Sequence, residues 1–175
     1  MKKILLIAVA ASLASAAAFA ATNPATATFD VKLTVLKACS VLAGASSDVD
    51  FGSQDSTATN LQNSNTISVT CSKNTPYTIG LTPGNSNTAG AGVMAAQNVA
   101  PVTGNIDTVA YQLRSTAGLT GTVWGNTNSD GATVGNGVSG TGNGAAKSHT
   151  VYATVPNVNV TPDAYKDTVT VTVRY

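Results

Sequence analysis

The chain contains no glutamate: all 8 of its acidic residues are aspartate, set against 9 lysines and arginines in 175 residues. Glutamate is a good helix former, and its absence beside abundant threonine and valine leaves helix propensity weak and strand propensity high. Only 10% of residues are charged, and no basic cluster exists, which argues against nucleic acid and anionic membrane surfaces as partners. Histidine occurs once, at His149, and the two cysteines, Cys39 and Cys71, lack CxxC spacing and lie far from it, so no metal site is expected. A Ser, His and Asp relay would depend on that one imidazole, and no G-x-S-x-G elbow presents a serine. The pair Asp48 and Asp50 alternates along a candidate strand before Phe51-Gly52 and is expected to face solvent, not to serve as paired catalytic carboxylates. The chain is therefore expected to be no enzyme, with no catalytic residue, no cofactor and no small-molecule substrate.

Two glycine-rich motifs lack the surroundings that ligand binding requires. Gly135-Asn136-Gly137-Val138-Ser139-Gly140 matches G-x-G-x-x-G, but no buried strand precedes it and no helix follows to present amides to a pyrophosphate. Asn126-Thr127-Asn128-Ser129-Asp130-Gly131 resembles the start of a calcium loop, yet Gly137 stands where the bidentate glutamate belongs. Loop composition accounts for both.

The N-terminus has an export pattern. Met1-Lys2-Lys3 is positive, Ile4 to Ala14 is apolar, and Ala18-Phe19-Ala20 is a small-x-small cleavage site, so residues 1–20 are expected to be a signal peptide. No later segment has the length and hydropathy of a membrane span. Loss of Lys2 and Lys3 leaves seven of the nine basic residues against eight acidic ones, a formal charge of −1. The remaining chain, about 155 residues, is the size of one domain. In an exported chain, two cysteines indicate one disulfide, Cys39 to Cys71.

Period-two alternation dominates the mature chain. Ile67, Val69 and Cys71, then Tyr77, Ile79 and Leu81, then Val109, Tyr111 and Leu113, then Val151, Ala153 and Val155 alternate with small or polar residues. Leu119 to Trp124 and Val169, Val171, Val173 and Tyr175 complete the set of expected strands. Clusters such as Pro83-Gly84-Asn85-Ser86-Asn87 supply turns between them. Gly90 to Val102 fits either a short helix or a loop, and Gly125 to Ala146 fits a long hairpin loop. These elements predict an all-β, antiparallel β-sandwich.

One alternating segment has no partner in sight. In Thr28-Phe29-Asp30-Val31-Lys32-Leu33-Thr34-Val35 the side chains of Phe29, Val31, Leu33 and Val35 share a face, and no Gly, Pro, Asn or Asp follows before Cys39 to turn the chain back into a hairpin. A half-apolar strand at a chain terminus is a sticky edge, so it is expected to join a sheet in another molecule. Two alternatives stand beside this. The segment could pair within its own sandwich, as in a self-complemented secreted coat or matrix protein; or Trp124 and the tyrosines could form an exposed sugar-binding platform, although their positions on alternating strands favour the core.

Cys39-Ser40-Val41, Phe51-Gly52, Ile67-Ser68-Val69-Thr70-Cys71-Ser72, Tyr77-Thr78-Ile79, Tyr111-Gln112-Leu113, Trp124-Gly125 and the closing Tyr165-Lys166-Asp167-Thr168-Val169-Thr170-Val171-Thr172-Val173-Arg174-Tyr175 together resemble the spore coat protein U domain family. That family includes the Csu-type pilins of archaic chaperone-usher systems, and Phe29 to Val35 resembles the donor strand of their major fimbrial subunit. The resemblance implies an incomplete immunoglobulin-like sandwich completed by a donated strand. Residues 21–36 would be the donor extension and 37–175 the pilin domain. Phe29, Val31, Leu33 and Val35 would fill a groove lined on one side by Val169, Val171, Val173 and Tyr175. The implied partners are a periplasmic chaperone, an outer-membrane usher and further pilin subunits, in a homopolymer or with other kinds. The implied setting is a surface fimbria, exported through the periplasm, that supports adhesion and biofilm formation. A single domain of this length differs from a two-domain tip adhesin.

Overall fold

A computed structural model describes residues 23–127 and 134–175, so the leader and the centre of the 125–146 tract lie outside the described residues. Contacts divide the chain into two units, Met1–Thr34 and Val35–Tyr175. In the first, the described residues belong to no strand. The second is an incomplete immunoglobulin-like antiparallel β-sandwich.

Among the described residues, nine strands build it: β1 (Cys39–Leu42), β2 (Thr59–Cys71), β3 (Pro76–Thr82), β4 (Ala91–Ala96), β5 (Thr108–Arg114), β6 (Val138–Thr141), β7 (Ala146–Asn157), β8 (Tyr165–Lys166) and β9 (Thr170–Arg174). One sheet runs β1-β2-β7-β5-β4-β8, and the other runs β6-β3-β9. Every ladder is antiparallel. Alternation places Ile67, Val69 and Cys71 of β2, Val151, Ala153 and Val155 of β7 and Val109, Tyr111 and Leu113 of β5 on the buried face, against Tyr77, Ile79 and Leu81 of β3. Trp124 is buried in the same core, where its indole N–H donates to the Ile79 carbonyl at 2.8 Å. No exposed platform forms from it. Burying a polar aromatic with its one donor satisfied avoids the cost of an unpaired N–H.

Two strand glycines have steric reasons. Gly92 faces Tyr111 and Gly140 faces Tyr77 across their ladders. A Cβ on Gly92 would fall 2.0 Å from the Tyr111 ring, and one on Gly140 2.4 Å from that of Tyr77. Each tyrosine lies over a glycine that leaves room for it, the setting in which glycine is retained inside a strand. Gly137 also packs on the Ile79 carbonyl and Thr78. The G-x-G-x-x-G stretch thus seats β6 against β3, a packing role.

Four expectations are corrected. Leu119 to Trp124 is not a strand: Gly121 N–H donates to Gly118 at 3.1 Å, and Thr122 N–H to the Thr116 hydroxyl at 2.7 Å, closing a turn from which only Val123 bridges to Arg114. Gly90 to Val102 is neither helix nor plain loop, because residues 91–96 form β4 between β5 and β8. The 125–146 tract is more than a hairpin loop, since β6 lies within it. Asp48 and Asp50 do not lie on a strand; a 3-10 turn at Ala45–Ser47 leads into an irregular segment whose Val49 and Phe51 pack on the core while both aspartates stay exposed.

The strand β2 extends eight residues ahead of Ile67, through Asn63 and Asn65. Their side-chain amides donate to the carbonyl of Asp50 and to those of Ser46 and Asp48. Polar residues suit this face because backbone carbonyls, not side chains, cover it.

Candidate functional site

The distinctive feature of the sandwich is an open seam between two strand edges. β1 closes one end of the six-stranded sheet and β9 one end of the three-stranded sheet; they are neighbours in space but share no ladder. Val41 of β1 stands opposite Val69 of β2, and opposite residues in a ladder share a face. Val69 is fully buried, yet Val41 is 39% exposed. Across the seam, Val171 faces Leu81 and Val173 faces Ile79. Both partners in β3 are fully buried, whereas the two valines are only half-buried. Inward-pointing apolar groups on both edges therefore retain access to solvent. Each edge also keeps backbone donors and acceptors that no described neighbour uses, the arrangement to which an extended peptide can add.

Val169 and Tyr175 flank β9 instead of lying within its ladder; Val169 is half-buried and Tyr175 is 49% exposed. The disulfide is present, joining Cys39 and Cys71, which face one another in the first pair of the β1–β2 ladder. It pins the start of β1. Just before it, Ala38 N–H donates to the Ser72 hydroxyl at 3.0 Å, and Ser72 N–H returns a bond to the Ala38 carbonyl at 2.9 Å.

The side chains of Phe29, Val31, Leu33 and Val35 are 87%, 88%, 87% and 80% exposed. No ladder includes them. Between them, Lys32 Nζ lies 3.0 Å from Asp30 Oδ2, a contact on the polar face of the segment. Both groups are largely exposed, and such a pair contributes little to stability.

The closing segment is not one continuous strand. Tyr165 and Lys166 pair with β4 in one sheet, and Thr170 to Arg174 pair with β3 in the other. Asp167 makes the crossing possible. Its carboxylate accepts from the Tyr111 hydroxyl at 2.6 Å, from Gly84 N–H at 3.2 Å and from Thr168 N–H at 2.8 Å. Burial, then the Asp167 hydrogen bond and charge, push the Tyr111 hydroxyl far above the usual phenol range. The crossing delivers β9 to the seam, a role that the sequence marks only by one acid within a run of Thr and Val.

Behind it, Asp163 ties down the neighbouring loop. It accepts from Asn98 N–H and Val99 N–H, both at 2.9 Å, from the Asn105 amide at 3.1 Å and from Ala164 N–H at 2.8 Å. Desolvation raises its pKa, but the hydrogen bonds outweigh that and leave it below the ordinary carboxylate value. His149 is not a plain surface residue. It is half-buried, with Nε2 2.9 Å from the Tyr77 hydroxyl, and this contact links the two sheets. Burial, followed by the charge of Lys147, lowers its pKa.

Among the described residues no group of three His, Cys, Asp or Glu side chains is placed to hold a metal ion, and no helix is long and apolar enough to cross a membrane. Two shallow cavities, about 250 and 320 Å³, lie beside Gln62, Tyr152 and Thr154 and beside Asn60, Gln112 and Arg114. Neither gathers a nucleophile and a base.

Comparison with solved structures finds similarity to the CsuC-CsuE chaperone-tip adhesion subunit pre-assembly complex from the archaic chaperone-usher Csu pili of Acinetobacter baumannii. The TM-score is 0.51 at 22% identity, over 81% of this chain and 40% of that one. At this identity the likeness is one of fold, and the chain spans less than half the length of the solved chain it matches. No match is found among curated proteins. The model of the Spore Coat Protein U domain matches residues 25–172, and with the seam, the disulfide and the closing Tyr165 to Tyr175 motif in place, the chain belongs to the spore coat protein U domain family.

Proposed function

We propose that the protein is a structural subunit of a chaperone-usher pilus that polymerises by donor-strand exchange. One observation carries this reading: the chain holds both an alternating apolar segment that belongs to no ladder and a sandwich with two adjacent unpaired edges over half-buried core residues. In the proposed assembly, residues 1–20 are removed on export. Residues 21–36 then act as the donor extension of the domain formed by 37–175. Phe29, Val31, Leu33 and Val35 of one subunit enter the seam of the next, against Val169, Val171, Val173 and Tyr175. Burial of four such side chains contributes on the order of 6 to 12 kcal/mol before the ordering of the segment is subtracted. Until then a periplasmic chaperone covers the seam, and an outer-membrane usher directs the exchange. The product is a surface fimbria, a homopolymer or a fibre shared with other pilins, serving adhesion and biofilm formation. Family membership and the likeness of fold to a chaperone-bound pilus subunit support this reading.

Deletion of residues 22–36 tests it. Intact protein exported with its chaperone and usher should give a ladder of multimers in unheated detergent samples, and the deletion variant none. A ladder that survives the deletion removes strand donation and leaves the self-complemented coat protein as the better reading.

A further inference from the structure

The donor segment and β9 carry complementary patterns at residue level, and the inference drawn from them rests on the donor-strand reading above. We infer that the donated segment of one copy pairs with β9 of the next in the register that sets Asp30 opposite Arg174 and Phe29 opposite Tyr175.

Opposite residues in an antiparallel ladder lie on one face. In this register the inward pairs are Phe29 with Tyr175, Val31 with Val173, Leu33 with Val171 and Val35 with Val169. The outward pairs are Asp30 with Arg174, Lys32 with Thr172 and Thr34 with Thr170. An aromatic pair and an opposite-charge pair thus fall together at one end, and three aliphatic pairs follow.

Other registers lose these matches. Slipping by one residue turns every apolar side chain outward. Slipping by two in one direction brings Lys32 opposite Arg174, a like-charge pair, and sets Val31 instead of Phe29 opposite Tyr175. Slipping by two in the other direction sets Val35 opposite Asp167 and leaves Asp30 opposite Thr172. A parallel arrangement that keeps the apolar faces together places Thr34 opposite Arg174 and Asp30 opposite Thr170, with no charge pair at all.

Arg174 is prepared for such a partner. Its Nη1 donates to Asn126 Oδ1 at 2.6 Å, which holds the side chain while leaving donors on Nε and Nη2. Among the described residues no carboxylate lies within ion-pair distance of it, because the ion pair found there is Lys32 with Asp30. Asp30 is highly exposed and can exchange that weak contact for one across the ladder. Tyr175 follows β9 and is 49% exposed, and continued alternation would set it on the face of Val171 and Val173, which Phe29 would reach. The charge pair fixes register and direction; the apolar residues supply the holding energy.

Paired cysteines on the outward face test the register without disturbing the apolar set. Full-length Thr34→Cys/Thr170→Cys protein, exported with its chaperone and usher and then oxidised, should give covalent multimers on a boiled, non-reducing gel. Thr34→Cys/Thr172→Cys, slipped by two, and Thr34→Cys/Arg174→Cys, the parallel pairing, should give none, since diagonal neighbours lie beyond disulfide reach. Cross-links from either of those variants in place of the first overturn the register. So does the absence of cross-links from all three while the detergent ladder persists and still requires residues 22–36. A ladder independent of 22–36 overturns the donor-strand reading itself. In parallel, Asp30→Arg and Arg174→Asp should each speed polymer dissociation by up to about fivefold, the range of a cross-strand charge pair, and the double reversal should restore it. A double variant no better than either single one removes the Asp30 and Arg174 pairing.

Discussion

Val151, Ala153 and Val155 in β7 and Phe29, Val31, Leu33 and Val35 near the N-terminus follow the same rule: apolar at every second position, polar between. Their surroundings are opposite. β7 lies between β2 and β5, shares a ladder with each, and buries its apolar set completely. The N-terminal set is at least 80% exposed and shares no ladder. Alternation specifies a face, and a neighbour on each side decides whether that face is buried. β9 falls between these extremes. It has β3 on one side only, and its inward valines are half-buried.

The contrast breaks most sharply under charge. Val155→Asp places a carboxylate in the core and should cost about 4 kcal/mol or more, leaving little folded protein in the periplasm. Leu33→Asp should leave the thermal unfolding of the chaperone-released monomer unchanged and abolish the detergent ladder, whereas Lys32→Asp should permit both. Equal effects of the two donor-segment variants on the ladder would show that this alternation does not encode a buried face. Val171→Asp belongs between these, with a folded core but a seam no longer fit for the chaperone; co-purification with the chaperone reads this directly.

The disulfide ranks next. Cys71→Ser releases a loop of sequence separation 32 and should lower stability by roughly 3 to 4 kcal/mol on the chain-entropy account. Denaturant titration measures the loss, and thiol titration of the denatured, unreduced parent should find no free thiol. A smaller effect follows from Tyr111→Phe. It removes one of three donors from Asp167 and should cost about 1 to 2 kcal/mol, with increased amide exchange along β9 if that crossing positions the seam.

The smallest effect concerns His149. Its folded pKa lies below the ordinary 6.5, so the folded state favours the neutral ring. The resulting stability is present above the unfolded value and is lost as pH falls through it toward the folded one. Stability should therefore decline below about pH 6.5, and His149→Phe should flatten the decline. A parent and variant with the same pH dependence across this range would assign the effect to other groups.

Much of this architecture was legible from local pattern. The core strands at Ile67 to Cys71, Tyr77 to Leu81, Val109 to Leu113 and Val151 to Val155 could be placed because one buried face imposes a period of two. The cysteine pair and the partnerless N-terminal segment were legible as well. β4 was hidden because Ala91 to Ala96 is short and small-residued, a pattern that fits helix, loop or strand alike. The polar start of β2 was hidden because Asn63 and Asn65 face backbone carbonyls contributed from residues 46–50, a contact that no local window contains.

The sequence by itself determined the sandwich class, the inward set of each long strand, the disulfide and the absence of a partner for Phe29 to Val35 within reach of a turn. Each follows from short-range chemistry: side-chain period, turn residues and cysteine count. Only the tertiary structure decided that β8 and β9 belong to different sheets, that Asp167 and Tyr111 hold the crossing between them, and that β1 forms the second edge of the seam. Those depend on residues far apart in the chain, such as Tyr111 and Gly84 beside Asp167, whose meeting is set by sheet order and packing. A strand's own pattern carries its face but not its neighbours, so the open seam could be located only from the order of strands in both sheets and the approach of β1 to β9.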